Sequence, residues 1–342
     1  MKIILRIISV AFRYKRRLIA SYVCMAGATA AYLIIPKSIG SAIDRTYEIL
    51  KSGDISDNAI LLIILSILGL YIVRGILSFA YTYLGESLSQ YVAYSLRDNF
   101  YDHVQNLSFG FHDKHHTGNL MSRAISDIEN VRMFINAGLI RGPYFLVLVL
   151  VVSVLLLRLD LTLGIVSIGF MPLVMFQSSI IRLKMGRIFL TIQEKMAELS
   201  TVLQENLTGI RVVKAFAAES YEEEKFDAKN VEVASHMIQA ERLAAYNNSF
   251  MLFTFTVSLA LILWMGGQRV IAGSMSYGEL TQFIIYMQVL AMPVRMFGWL
   301  VNSYARAASA GQRVFEILDA KSPVQEARIA LVMPATKGHV RF

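Results

Sequence analysis

Six stretches of this 342-residue chain contain no Asp, Glu, Lys or Arg: Leu18 to Pro36, Ala59 to Val73, Gly142 to Leu157, Leu161 to Ile181, Leu243 to Gln268 and Leu280 to Val294. About 20 helical residues cross the hydrocarbon layer of a bilayer, so these stretches, some lengthened by a flanking cation such as Lys37 or Arg74, predict six transmembrane helices. With 55% hydrophobic and 17% charged residues and a mean hydropathy of +0.51, the chain is too apolar for a soluble domain of its length. The expected class is an all-α membrane protein.

The formal net charge of +8 and pI near 9.5 would suggest nucleic acid in a soluble protein. Here the cations have another explanation, and no nucleic acid is expected. Lys15, Arg16 and Arg17 precede the first span, and Arg182, Lys184 and Arg187 follow the fourth. Six crossings put both groups on one side, which the positive-inside rule makes cytoplasmic. The expectation is a multi-pass protein of the inner or plasma membrane with both termini in the cytoplasm. Residues 1–17 start like a signal peptide, but Arg6 interrupts the apolar run and no small-residue cleavage site follows, so an amphipathic helix on the inner leaflet fits better. The one cysteine, Cys24, lies in the first span, so no disulfide can form within the chain.

Helical spacing of apolar residues continues well past the membrane stretches. Between Ala59 and Gly110 there is no proline, and such a run makes a rod of about 75 Å against a hydrocarbon core of about 30 Å. The fourth span likewise continues to near Tyr221, and the fifth begins in "YEEEKFDAKNVEVASHMIQAERL", with Glu223 and Asp227 on one face. Two long helical hairpins are expected to hang below the membrane. Their tips, "FGFHDKHHTGN" and "KAFAAESYEEE", read as docking surfaces.

The first tip raises a metal question. His112 and His116 stand four apart, and Asp113 and His115 could complete a tetrahedral sphere. No cysteine is near and the remaining histidines are His103, His236 and His339. A polar surface is the preferred reading, with no metal.

At these tips the sequence resembles the transmembrane domain of ABC exporters of the multidrug and lipid-flippase type. "FHDKHHTGNLMSRAISDIENV" is similar to the family's first cytoplasmic loop at Thr117, Gly118, Leu120, Ser122, Arg123 and Asp127. "QENLTGIRVVKAFAAESYEEEKF" is similar to its second at Glu205, Asn206, Gly209, Ile210, Val213, Lys214, Phe216 and Glu219. "SYGELTQFIIYMQVLAMPVRMF" with "ARAASAGQRVFEILD" resembles its sixth span and exit. The resemblance implies short coupling helices at both tips, contacting ATPase domains through Phe111, His112, Asp113, His115, His116, Thr117 and Gly118 on the first and Phe216, Ala218, Glu219 and Tyr221 on the second. Phe216 and Tyr221 are the apolar anchors of the second tip. It also implies a second half transporter, identical or not, with the fourth and fifth helices crossing to it.

The implied domains are an N-terminal elbow helix at 1–17, the six-helix region at 18–320, and at 321–342 a linker and the start of a nucleotide-binding domain, which "KGHVRF" resembles. The chain contains no G-x-x-x-x-G-K-[ST] loop, so it has no catalytic residues and no cofactor of its own; ATP and Mg are expected in the full-length transporter. "WMGGQRV" at 264–270 follows the fifth span and reads as a turn. The alternatives are an ATP-independent six-span channel or secondary carrier, which Pro36, Pro143, Pro172 and Pro293 keep open although no repeat is visible, and a membrane enzyme, for which no side-chain cluster converges in the spans.

A cation in a span is costly unless it faces protein, water or a counter-ion. Arg74, Arg141 and Arg295 are therefore candidates to line a cavity for a hydrophobic or amphipathic substrate, with Glu86 as the nearest acid to neutralise them. Phe79, Tyr83, Met296 and Trp299 would contact the apolar part of an anionic amphiphile. Snorkelling to lipid headgroups is the competing explanation of the three arginines.

Overall fold

The computed structural model of the chain describes residues 2–52, 57–322 and 338–339, with all side chains there except those at 52, 57–60, 294, 295, 297 and 298. The expected linker and domain start at 321–342 therefore lies mostly outside the described residues, as does the Arg295 side chain.

Among the described residues the fold is helical, with no strand. A short helix α1 (Lys2–Phe12) leads into α2 (Lys15–Ser52) and α3 (Asp57–Gln105). Two short helices follow, α4 (Phe109–Lys114) and α5 (Thr117–Ser122), then α6 (Ile128–Phe134) and α7 (Gly142–Leu159). The rod from α5 to α7 is continuous and contains two π-helical segments, Arg123–Asp127 and Ile135–Arg141. Next come α8 (Leu161–Thr208), α9 (Ile210–Ala215), α10 (Glu219–Ile271) and α11 (Tyr277–Leu318); α10 runs through residues 264–270, so the turn expected at "WMGGQRV" is helix instead.

Five of these rods are long and apolar enough to cross a membrane: α2, α3, the α5–α7 rod, α8 and α10. The uncharged stretch Leu280–Val294 lies in α11, a sixth long helix of 42 residues. Pro36, Pro172 and Pro293 lie inside α2, α8 and α11, which continue through them, as membrane helices allow. Pro143 lies just past the second π segment, inside the continuous α5–α7 rod, which membrane helices also tolerate. None of the most apolar window of α3 is buried within the protein, and Leu62, Leu65, Leu68 and Ile72 are exposed along it, as residues solvated by lipid tails would be.

The chain divides into two compact units. The first comprises 1–30, 73–145 and 299–342. Its core joins Ile4, Ile7 and Ala11 of α1 to Val92, Leu96 and Phe100 of α3, Ile128, Val131 and Ile135 of the π-interrupted rod, and Ala307, Val314 and Phe315 of α11. Arg313 crosses from α11 to the π segment, where Asp127 is 5% exposed and accepts from its guanidinium.

The second unit comprises 31–72 and 146–298. At one end Asp160 caps α8 by accepting from Leu163 N at 2.9 Å and pairs with Arg269 of α10. Ser276 and Glu279 form a reciprocal capping box at the start of α11. Asp44 of α2 accepts from Gly278 N and Ser276 Oγ, both at 2.7 Å. A Cβ on Gly40 would lie 2.6 Å from Gly278 O, so the two backbones touch. Further along, buried Tyr286 donates to Leu33 O at 2.7 Å. At the other end α8 and α10 lie side by side and carry an antiparallel ladder: Lys195 to Glu232 at 3.0 Å, Lys229 to Glu198 at 2.8 Å, Lys225 to Glu205 at 3.4 Å and Asn206 to Glu222 at 3.4 Å. Glu223 and Asp227, expected to share a face, both stay exposed outside this ladder.

Candidate functional site

The first tip is built by three residues that turn inward. Leu107 and Leu120 are buried, and half-buried Phe111 packs on the core of the first unit. His115 stacks on Phe111 with centroids 4.1 Å apart, and its Nδ1 lies 2.9 Å from Phe111 O. His112 Nε2 lies 3.2 Å from Val104 O. These two histidines are thus engaged locally, and among the described residues no three His, Cys, Asp or Glu side chains gather as a metal would require. What remains outward is Phe109, 90% exposed, with His112, Asp113, Lys114, His116, Thr117 and Gly118 exposed behind it.

Phe109 was not among the expected contacts, whereas Phe111 was. Two positions apart on a helix lie roughly 200° apart around its axis, so burying one phenylalanine exposes the other. "FGF" signals that one of the pair faces out; only the packing of Phe111 decides which.

The second tip closes differently. Gly209 N donates to Glu205 O at 2.9 Å and ends α8, after which α9 makes one and a half turns. At its end Ala218 N donates to Val213 O at 3.0 Å and Ala217 N to Lys214 O at 3.5 Å. That is the Schellman arrangement, with Ala217 at φ 49° in the left-handed position where glycine is usual. The turn projects Phe216, 80% exposed, with Val212 and Tyr221 also exposed. Lys214 Nζ meets Glu219 Oε1 at 2.8 Å, and half-buried Ala218 is the N-cap of α10. A groove of about 350 Å³ runs behind the tip, lined by Leu203, Ile210, Val213 and Phe226 with Lys214 and Glu223 at its edge.

The expected cavity residues lie on α3, at the end of the second π segment and on α11. Phe79 and Tyr83 are exposed on α3 and stack at 6.1 Å. Glu86, one turn on, accepts from Arg132 Nη1 at 2.5 Å and Asn136 Nδ2 at 2.7 Å. Its counter-ion is therefore Arg132, a residue the sequence reading did not single out. Arg141 ends the second π segment half-buried, and among the described residues no acid pairs with it. Arg74 is half-buried on α3, Met296 half-buried on α11, and Trp299 is 40% exposed.

A family model for the ABC transporter transmembrane region matches residues 18–294. The ATP-dependent lipid A-core flippase of Syntrophus aciditrophicus is 28% identical over 342 residues, covering 98% of this chain and 55% of that protein. An uncharacterized ABC transporter ATP-binding protein of Bacillus subtilis is 27% identical over 278 residues, 81% of this chain and 48% of that protein. A putative multidrug export ATP-binding/permease protein of Staphylococcus aureus is 24% identical over 308 residues, 90% and 53% of the two. The chain spans about half the length of the curated relatives it matches.

Proposed function

Because the chain belongs to the family of ABC transporter transmembrane regions, we propose that it is the membrane-spanning half of an ATP-driven exporter that moves a hydrophobic or amphipathic substrate outward or between leaflets. The observation that carries this reading is the pair of tips, each a six-residue helix at the end of long rods, each presenting one nearly naked phenylalanine, Phe109 or Phe216. An exposed aromatic on a polar, projecting surface is the residue type that anchors a protein partner. The partner is an ATPase domain that binds ATP and Mg, with residues 321–342 leading into it. A second six-helix half completes the pathway, and the second tip docks on the opposite half's ATPase domain. Residues 1–17 act as an elbow on the cytoplasmic leaflet and 18–320 as the translocating domain. The basic residues Lys15, Arg16, Arg17, Arg182, Lys184 and Arg187 support cytoplasmic termini and tips.

The names of the flippase and multidrug relatives support a drug or a lipid as cargo. Arg74, Arg141 and Arg295 are the residues proposed to meet an anionic headgroup, with Phe79, Tyr83, Met296 and Trp299 on its apolar part.

In the full-length protein, Phe216→Ala and Phe109→Ala should leave basal ATP hydrolysis measurable while abolishing its stimulation by substrate. Unchanged stimulation and transport in both variants would refute the docking assignment, and ATP-independent transport would favour a carrier. A cysteine at Ala218 should cross-link to the ATPase domain of the opposite polypeptide; cross-linking confined to one polypeptide would refute the crossed arrangement.

A further inference from the structure

Helix α1 has two working faces. On the inner one, Ile7 and Ala11 are fully buried and Ile4 nearly so. The face closes on Gly311 of α11, where a Cβ would meet Ile7 Cδ1 at 2.9 Å and Ile3 Cγ2 at 3.0 Å. From the same face Arg6 reaches Asp319, Nη1 to Oδ2 at 2.5 Å and Nη2 to Oδ1 at 2.7 Å. Its guanidinium also lies 4.0 Å over the Phe315 ring. His103 Nε2 sits 2.9 Å from Ala320 O. The chain is thus gripped by side chains where it leaves α11.

The outer face is built for a different contact. Leu5 is 62% and Phe12 57% exposed, and Lys2, Arg13, Lys15 and Arg16 are exposed around them. The first acidic residue of the chain is Asp44, and among the described residues no acid pairs with any of these four cations. Only Arg13 and Tyr14 separate α1 from α2, whose apolar stretch opens at Leu18. This fixes α1 at the membrane end of the first span. An apolar stripe flanked by unpaired cations at that level complements an anionic lipid surface.

We propose that α1 is a lipid-reading latch: its outer face binds an anionic leaflet, and its inner face, through Arg6 and Asp319, then holds the exit of α11 in place. The inference rests on the proposed membrane role of the chain and adds a regulatory input to it. Neutral lipid leaves the outer face unanchored, so α1 lifts more often and the exit loosens. Anionic lipid thereby sets how firmly α11 is joined to whatever follows it.

The test is hydrogen–deuterium exchange of the full-length protein in nanodiscs of phosphatidylcholine, with and without phosphatidylglycerol. Phosphatidylglycerol should slow exchange in residues 2–12 and 316–320 together, by about tenfold, since each Lys or Arg near an anionic surface adds attraction. Replacing Lys2, Arg13, Lys15 and Arg16 together with Gln should remove the lipid dependence at both segments. Asp319→Asn should remove it at 316–320 alone. Equal protection of 316–320 in the two lipids in the unmutated protein would overturn the proposal. The measurement needs no ATP hydrolysis, so a failure of the exporter assignment would be seen separately, as absent ATP-driven transport.

Discussion

Arg313 grips Asp127 with two donors, Nε reaching Oδ2 at 2.8 Å and Nη2 reaching Oδ1, across 186 residues of chain. Asp127 is buried in a π-helical segment while Arg313 remains about half exposed. Asp127→Ala should lower the thermal midpoint of the purified protein by an amount corresponding to about 1.5–3 kcal/mol, the range for hydrogen bonds to a charged group. The exposure of Arg313 keeps the loss below that of a fully buried pair, because the freed guanidinium can turn to water. An unchanged midpoint would mean that the contact carries no net stability.

Gly278 admits no side chain, since a Cβ there would run into the carbonyl oxygen of Gly40 and the carboxylate of Asp44. Gly278→Ala should therefore destabilise the protein by about 1–3 kcal/mol through overpacking and loss of the Asp44 cap. Gly267→Ala in α10 has open space around it and should stabilise by about 0.5–1 kcal/mol through helix propensity. Paired thermal melts with shifts of the same sign would contradict this account.

Ala217 holds a left-handed conformation that costs an L-residue roughly 1–2 kcal/mol. Ala217→Gly should relieve most of it and slow amide exchange at Ala217 and Ala218, whose N–H groups close the turn. Faster exchange there would show that the turn is held by other contacts.

The Asp319 carboxyl is held below its ordinary range chiefly by the hydrogen bonds from Arg6; partial burial opposes this, and the charges of Arg6 and His103 assist. A depressed carboxyl contributes stability that is complete above the ordinary carboxylate range, near pH 4, and is lost as pH falls through the lowered value. Spin labels at exposed positions Ser9 and Gln312 should keep a single short distance at neutral pH and broaden below about pH 4. Asp319→Asn should show the broadened distribution at every pH. Both partners are well exposed, so added salt should weaken the effect.

Replacing Arg74, Arg141 and Arg295 with Gln tests the proposed headgroup contact in the full-length protein. Affinity for an anionic lipid should fall at least about tenfold more than affinity for a neutral lipid or a cationic drug, as expected when a charge-assisted contact is lost. Equal losses for all three ligands would leave a non-selective apolar cavity as the better account.

Charge-free stretches announced the long helices, and apolar periodicity beyond them announced rods that outrun the bilayer. Both are one-dimensional properties of a helix and are legible without knowing its neighbours. What opposes a given face is a pairwise property. Glu86 accepts from Arg132, which comes from a rod whose rotation is reset by π segments that no residue pattern marked. The α8–α10 ladder was hidden for the same reason. Spacing showed Glu223 and Asp227 on one face, while the register of the two helices selected Lys225, Lys229 and Glu232. The tips were legible as places; which phenylalanine of "FGF" faces out depended on the pocket that takes Phe111.

That ladder has a mechanical consequence. Two helices lying side by side bend almost independently if they can slide past one another, and as a single much stiffer beam if they cannot. Each rung between α8 and α10 is a surface contact of small strength, but every rung resists sliding, and together they tie the helices over about 16 Å, from Lys195 to Asn206. The hairpin is therefore rigid in flexure because it is locked in shear. A displacement applied at Phe216 then travels up α8 and α10 as leverage, and raising the ionic strength softens the beam before it unfolds any part of it.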